Sequence, residues 1–418
     1  MKIVIATAVY YPMINGVAVF SHNLAMGLAK RGHEVLVLCP SQTGKNYTRE
    51  EDGVKVTHLK SVDVKVYPDQ IDEVPPKKRF LGVSLPHLFY KKGFKVSVFP
   101  KKEIKRALDS FRPDVVHVQV SDPIGLSVVS YARKMGIPVV TTEHNQPEVL
   151  TEPLKLPGMV RKPVNALLSV YFRNRQSKSD FVTMPTKQAI ENLILSSGKE
   201  FKIPVAAVSN GVDLTNFRPG KARAEIYEKY GIKKEGLKVI YVGRVDPEKK
   251  VGTVIEAFKQ ARKDLPKNAM MIVVGDGVDK LKLEKMVLED GLENEVKFLG
   301  RVLPPDLYEL YKVGDVFVTA SEIETQGIVL IEAAATGLPL IAVNKGAVAE
   351  ICVDGVNGAL CQPGDVEGIS KAMVKVLSDE KERKEMAKKS LALAKEHDLE
   401  RTIDKFINIY NRVLTFKK

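Results

Sequence analysis

A chain of 418 residues, 44% hydrophobic and 28% charged, has the composition of a globular protein large enough for two α/β domains with separate cores. Cys39, Cys352 and Cys361 are too few and too scattered for a disulfide framework or a metal knuckle, which excludes a disulfide scaffold and fits a reducing, cytoplasmic setting. The net charge of +13 is uneven: residues 1–205 hold 30 Lys and Arg against 18 Asp and Glu, and the rest is nearly neutral, so a polyanionic surface, nucleic acid or anionic lipid, is expected near the first half.

No charged residue lies between Lys2 and Lys30, but Tyr10-Tyr11-Pro12 and Asn15-Gly16 interrupt the run and no small-residue cleavage site follows. The opening therefore reads as strand, loop, helix and strand, a βαβ unit, rather than a membrane span or signal peptide. Strands are next expected at Val54–Leu59, Asp114–Val118, Val139–Thr142 and Phe181–Met184, with helical segments between several of them: a doubly wound parallel sheet. After a hinge near residues 203–218 the alternation restarts with "LKVIYVGR" (237–244), "AMMIVVGDG" (269–277), "EVKFLG" (295–300), "DVFVTA" (315–320) and "LPLIAVN" (338–344). The expected division is an N-terminal Rossmann-like domain over 1–203, a second over 204–395, and a helix over 396–418 that returns to the first. Open sheets of this class bind ligands beyond their strand ends, so two of them facing one another would frame a central cleft.

Several stretches carry chemistry. Asn15-Gly16 follows the first strand, where a residue without a Cβ lets backbone amides approach a phosphate or sugar; a plain turn is the alternative. His144, in "TTEHNQPE" at a strand end, suits a hydrogen bond to a sugar hydroxyl or reacting carbonyl, or a structural role. "SNGVD" (209–213) brings Asn210 and Asp213 into a loop that also reads as an Asn-Gly turn. "VGRVDPEKKV" (242–251) places Arg244, Lys249 and Lys250 after a strand, where two cations would neutralise a diphosphate unless they are ordinary solvated charges. In "SEIETQGIVLIEA" (321–333), Glu324 and Glu332 stand eight positions apart; on one continuous helix they would point about 80° apart and never meet. A loop feeding a helix that starts near Gly327 puts Glu324 beside the helix N-terminus and Glu332 inside the helix, an arrangement that suits a phosphate flanked by hydroxylated groups.

Taken together, Asn15-Gly16, His144, Ser209–Asp213, Gly243-Arg244 with Lys249, and the run from Glu324 to Glu332 resemble the retaining GT-B glycosyltransferases often called family 4, over essentially the whole chain. The resemblance implies that Glu324 faces the donor sugar, that Glu332 holds the ribose, and that Arg244 and Lys249 bind the diphosphate with the Gly327 and Ile328 amides. It also implies that Val329 and Asn210 belong to the donor site, that His144 reaches the donor sugar, and that Gly16 borders diphosphate and acceptor. The reaction implied is hexose transfer from a nucleotide sugar with retention, and with neither a metal nor a separate cofactor; the chain has no Asp-x-Asp. Two departures stand out. Many relatives have Gly-Gly where this chain has Asn15-Gly16, which bears on the acceptor loop, and an aromatic residue where it has Gln326, which bears on the donor sugar.

The acceptor expectation rests on charge. Residues 77–102, "KKRFLGVSLPHLFYKKGFKVSVFPKK", carry eight Lys and Arg, no acid and interleaved aromatics, and 157–178 repeat the theme. Lys77, Lys78, Arg79, Lys91 and Lys92 would hold the first domain on an anionic bilayer, peripheral to the inner face of the plasma membrane, giving access to a lipid acceptor such as diacylglycerol; a cationic rim over core hydrophobes is the other reading. A soluble sugar or sugar phosphate is the alternative acceptor. A non-catalytic nucleotide- or nucleic-acid-binding protein on the same scaffold is the alternative class, with no nucleic acid expected if the second-domain constellation is intact.

Overall fold

The computed structural model describes residues 1–13, 15–63, 79–80, 83–84, 95–98, 100–119, 122–144, 147, 151 and 157–416. The chain divides into two units, Met1–Asn210 with Glu400 onward, and Gly211–Leu399.

Unit 1 begins with β1 (Lys2–Ala6), KIVIA, whose last four residues are buried as in a strand covered on both faces. The helix α1 (Gly16–Lys30) follows, capped by Asn15, whose side-chain oxygen accepts from the Ala18 amide at 2.9 Å. Then come β2 (Glu34–Pro40), β3 (Tyr47–Glu51), β4 (Val54–Leu59), α2 (Lys101–Phe111), β5 (Val115–Val118), α3 (Pro123–Lys134), β6 (Val139–Thr142), α4 (Gly158–Gln176), β7 (Phe181–Met184), α5 (Lys187–Ser197) and β8 (Val205–Ala207). The sheet order is β8-β7-β6-β5-β1-β2-β4-β3, all parallel except the edge strand β3, which runs antiparallel to β4. Sequence pattern misses β3 because YTREE offers no apolar face; pairing with β4 alone makes it a strand. The chain winds outward from β1 through β2, then resumes on the other side at β5, so the carboxyl ends of β1 and β5 mark the point where strand order reverses.

Unit 2 contains α6 (Ala224–Lys229), β9 (Lys238–Val242), α7 (Val251–Ala261), β10 (Met270–Val274), α8 (Lys280–Glu289), β11 (Val296–Gly300), α9 (Asp306–Tyr311), β12 (Val316–Val318), α10 (Ile328–Ala335), β13 (Leu340–Val343), β14 (Gly358–Cys361), α11 (Val366–Ser378) and α12 (Glu380–Ala394). Its order, β11-β10-β9-β12-β13-β14, is wholly parallel and counts 3-2-1-4-5-6 within the unit, the Rossmann order. Here the reversal lies between β9 and β12. Apolar layers cover both faces, one around Tyr241, Phe258 and Met271, the other around Tyr311, Phe317 and Ile331. Helix α7 shows why the layers form: Val251, Val254, Ile255 and Phe258 repeat at helical spacing and are buried, each contributing about 1.5–3 kcal/mol.

The last helix, α13 (Leu399–Thr415), lies within unit 1 from Glu400 onward. Arg31, which caps the C-terminus of α1, pairs with Glu400 at 2.7 Å and Asp404 at 3.2 Å, and Phe406 packs against Phe20 with ring centroids 5.7 Å apart. The three cysteines are free and buried.

Candidate active site

Both units place chemistry at the carboxyl ends of the strands where order reverses. In unit 2 the chain leaves β9 at Gly243 and leaves β12 just before Ser321, and these two loops carry the charged residues. The β9 loop is pressed against the β10 loop: the Gly243 amide donates to Val274 O at 2.9 Å, and a Cβ on Gly275 would fall 1.7 Å from Gly243 O. With φ at +146°, position 275 admits only glycine, and this close approach fixes where the next residue, Arg244, emerges.

Arg244 is half exposed and ion-paired to Asp246 and, at 2.5 Å, to Glu248. The Tyr241 hydroxyl, beneath it, donates to the Arg244 carbonyl at 2.7 Å. Lys249 ends the short 3-10 turn Pro247–Lys249 and reaches from the β9 loop to the β12 loop, its Nζ donating to Glu324 Oε1 at 2.6 Å. The two side chains are only 17% and 15% exposed, so this pair is the most protected charge contact of the site. The structure thus joins Lys249 to Glu324 and gives Arg244 its own acids. Sequence reading expects two cations waiting for a diphosphate; the fold supplies them with Asp246, Glu248 and Glu324, so an incoming anion would share them with carboxylates.

Helix α10 begins at Ile328, one residue later than expected, with Gly327 as its N-cap. Gly327 sits at φ +79°, where a Cβ would also press to 2.8 Å from the Leu330 side chain, and no side chain caps the helix. Ile328 and Val329 form its first turn, half buried, while Gln326 is buried at 2% exposure where many relatives carry an aromatic side chain. Glu332 lies in the next turn and accepts from the Tyr311 hydroxyl of α9 at 2.6 Å. Burial pushes its carboxyl up to about 7, against the lowering effect of that hydrogen bond. Glu324 and Glu332 therefore have different partners and different electrostatics, as an acid before a helix and an acid inside it should.

In unit 1, His144 follows β6 and is buried, its Nε2 bonded to Gln119 Oε1 at 2.9 Å and its ring 5.2 Å edge-on from Phe20. Gln119, just past β5, also reaches His117 Nε2 at 3.3 Å; His117 Nδ1 meets the Tyr410 hydroxyl of α13 at 2.7 Å. Burial holds both imidazoles down at about 3, so they are neutral at physiological pH. Gly16 is the exposed first residue of α1. Asn210, the last residue of unit 1 before the chain enters unit 2, is buried at 6% exposure, and Asp213 spends its carboxylate locally on Thr215 and Asn216. Lys77, Lys78, Lys91 and Lys92 lie outside the described residues, as does the side chain of Arg79.

Sequence reading missed Tyr241, Tyr311, Gln119, His117 and Tyr410. Asp246 and Glu248 were legible as acids two and four residues after Arg244; the others sit far along the chain from the groups they touch. Among the described residues no cluster of His, Cys, Asp or Glu could hold a metal ion, and no helix is long and apolar enough to cross a membrane.

The model of Glycosyltransferase Family 4 matches residues 14–216, and that of Glycosyl transferases group 1 matches residues 222–392. An alpha-monoglucosyldiacylglycerol synthase of Acholeplasma laidlawii is 29% identical over 367 residues, 86% of this chain and 84% of that one. A GDP-mannose-dependent alpha-mannosyltransferase of Mycolicibacterium smegmatis is 28% identical over 421 aligned positions, 99% of this chain and 98% of that one. Among solved structures, Anabaena HepE in complex with UDP superposes with a TM-score of 0.70 at 19% identity, covering 99% of this chain and 100% of that one. Two tandem Rossmann-like sheets, each with its own family match, make this chain a GT-B glycosyltransferase: it belongs to the family whose first half is of the family 4 type and whose second half is of group 1.

Proposed function

We propose that the protein transfers a hexose, glucose in our reading, from a UDP-linked donor to a membrane lipid such as diacylglycerol, with retention of anomeric configuration and without a metal. The observation that carries the donor half is the protected Lys249–Glu324 pair beside the uncapped start of α10. Transfer breaks the bond from the anomeric carbon to the diphosphate and forms one to the acceptor oxygen, whose proton passes to the departing diphosphate. Negative charge grows on the departing diphosphate. Arg244, Lys249 and the amides of Gly327, Ile328 and Val329 stabilise it there, more in the transition state than before it. Glu324, anchored by Lys249, orients the sugar rather than attacking it. Glu332 accepts from the ribose hydroxyls with the oxygen that Tyr311 leaves over. His144 offers a neutral ring to a sugar hydroxyl.

The lipid half is supported by the diacylglycerol-glucosylating relative and by α4, the second basic segment. That helix has no acid, carries Arg161, Lys162, Arg173 and Arg175, and leaves Met159 and Leu167 90% and 71% exposed. Cations with apolar tips between them suit a peripheral hold on an anionic bilayer. A second reading, mannose from GDP-mannose, is favoured by the relative that aligns over 99% of the chain.

The test is release of UDP from UDP-glucose, with GDP-mannose in parallel, with and without anionic liposomes containing diacylglycerol, followed by chromatography of the lipid fraction. Liposome-dependent release with a new glycolipid is expected. Release without liposomes and no lipid product would overturn the acceptor, and a covalent glycosyl-Glu324 adduct in mass spectra would overturn the role of that acid.

A further inference from the structure

The buried polar chain behind His144 is more elaborate than packing requires. Four side chains from three elements converge on it: Gln119 from the end of β5, His117 within β5, Thr142 at the end of β6, and Tyr410 from α13. His117 Nε2 meets Thr142 Oγ1 at 2.6 Å, and Thr142 meets Thr183 Oγ1 of β7 at 2.6 Å. Every one of these side chains is fully buried. Buried polar groups cost free energy unless satisfied, and a core of this size could have been built from apolar residues.

We propose that Gln119 is a positioning residue that holds His144 as the tautomer protonated on Nε2, leaving the Nδ1 lone pair to accept from a donor-sugar hydroxyl. The assignment follows from how the Gln119 amide is turned. The Gln119 amide has an oxygen and an NH2, and they point to two different imidazoles. With Oε1 on His144, that ring's Nε2 must carry hydrogen; with Nε2 of the amide on His117, the facing nitrogen of His117 must accept. His117 then keeps its proton on Nδ1 and donates it to the Tyr410 hydroxyl, while Thr142 donates to Nε2 and Thr183 to Thr142. With the amide turned this way, donation runs from His144 through Gln119 and His117 to Tyr410 of α13, and Gln119 and Thr142 share the His117 Nε2 lone pair. Because both rings are neutral, the choice of tautomer is the only variable the site can set, and Gln119 sets it. Among the described residues the hydrogen bond at the His144 ring is the one at Nε2.

The inference rests on the proposed role of His144 at the donor sugar, so its test reads the ring as well as the rate. In protein labelled with ¹⁵N at histidine, with His144→Gln used to assign the resonance, the wild type should show His144 as the Nε2–H form. Gln119→Leu should give a mixture of tautomers, and Gln119→Glu, which keeps an acceptor at that position, should restore the Nε2–H form. In the transfer assay Gln119→Leu should lower kcat by about three- to tenfold, no more than the loss of His144 itself, with the donor KM changed less than twofold, its melting temperature and circular dichroism marking whether it folds. A wild-type ring protonated on Nδ1, or one unmoved in Gln119→Leu, overturns the proposal. So does a folded Gln119→Leu with undiminished kcat. If the wild type transfers no sugar from any donor, the reading of function falls while the tautomer measurements still decide the role of Gln119.

Discussion

The two units use one topological rule for opposite electrostatics. Beyond β9 and β12 the strand ends carry charges of both signs, Arg244 and Lys249 among Asp246, Glu248 and Glu324. Beyond β5 and β6 they carry neutral, buried donors and acceptors, Gln119 and His144 backed by His117 and Tyr410. A diphosphate that gains charge as it leaves needs cations and helix-end amides; a sugar hydroxyl needs only an oriented hydrogen bond, and a charge there would have to be desolvated for nothing. In the function proposed above, the bond-breaking half of the reaction would fall to unit 2 and the orienting half to unit 1.

Three variants bear on that contrast. Lys249→Ala would remove the proposed diphosphate contact and leave Glu324 without its cation in a protected position, so kcat should fall by about 10²–10³-fold, measured as UDP release under saturating donor. Combining it with Glu324→Ala should be much less than additive, since the two act as a unit. An additive double variant would break the idea of a coupled pair. Replacing His144 with Ala should cost less, about 10-fold in kcat, the scale of one neutral hydrogen bond. A loss as large as that of Lys249→Ala would erase the distinction between the units.

Smaller effects come from pH. Glu332, at about 7, should bind the UDP ribose best when ionised, so calorimetric affinity for UDP should weaken a few-fold, roughly threefold, between pH 8 and pH 6.5, and flatten in Glu332→Gln. The imidazoles, at about 3, should contribute no limb to a rate profile between pH 5 and 8. Stability sharpens the same contrast with opposite signs. Glu332 has its folded value raised above the ordinary carboxylate range, so its contribution is full at pH values below about 4.5 and is lost as pH rises through 7. His117 and His144 have theirs depressed, so their contribution is present above about 6.5 and is lost as pH falls toward 3. Hydrogen exchange at pH 5 against pH 8 should therefore show β5 and β6 amides opening more readily in acid, while α10 is steadier there. Identical pH trends in both places would remove the distinction.

Much of this was legible in the sequence. The buried strands VVHV, VVTT and FVTM of unit 1 and the apolar runs of β9, β10 and β12 announce themselves by composition, since a strand covered on both faces is dominated by apolar and β-branched residues. Loops at their ends could be read for Arg244, Lys249, Glu324 and Gly327 because a strand, a turn and a helix follow one another within a few residues. The edge strand β3 was illegible because polar side chains on a solvent-facing edge carry no pattern, and β14 because it starts at Gly358, which lies against the Leu340 carbonyl, a reason visible only once β13 is beside it.

What the sequence by itself determined is the pair of Rossmann-like sheets and the set of charged residues at the strand ends, because both depend on local order along the chain. What only the tertiary structure decided is the pairing. That Lys249 meets Glu324, that Tyr311 lies under Glu332, and that Tyr410 closes a hydrogen-bonded chain to His144 from 266 residues downstream all depend on which strands lie side by side. Hydrogen bonds and ion pairs act over a few ångströms in space, whatever the separation along the chain, and strand order is what converts one distance into the other.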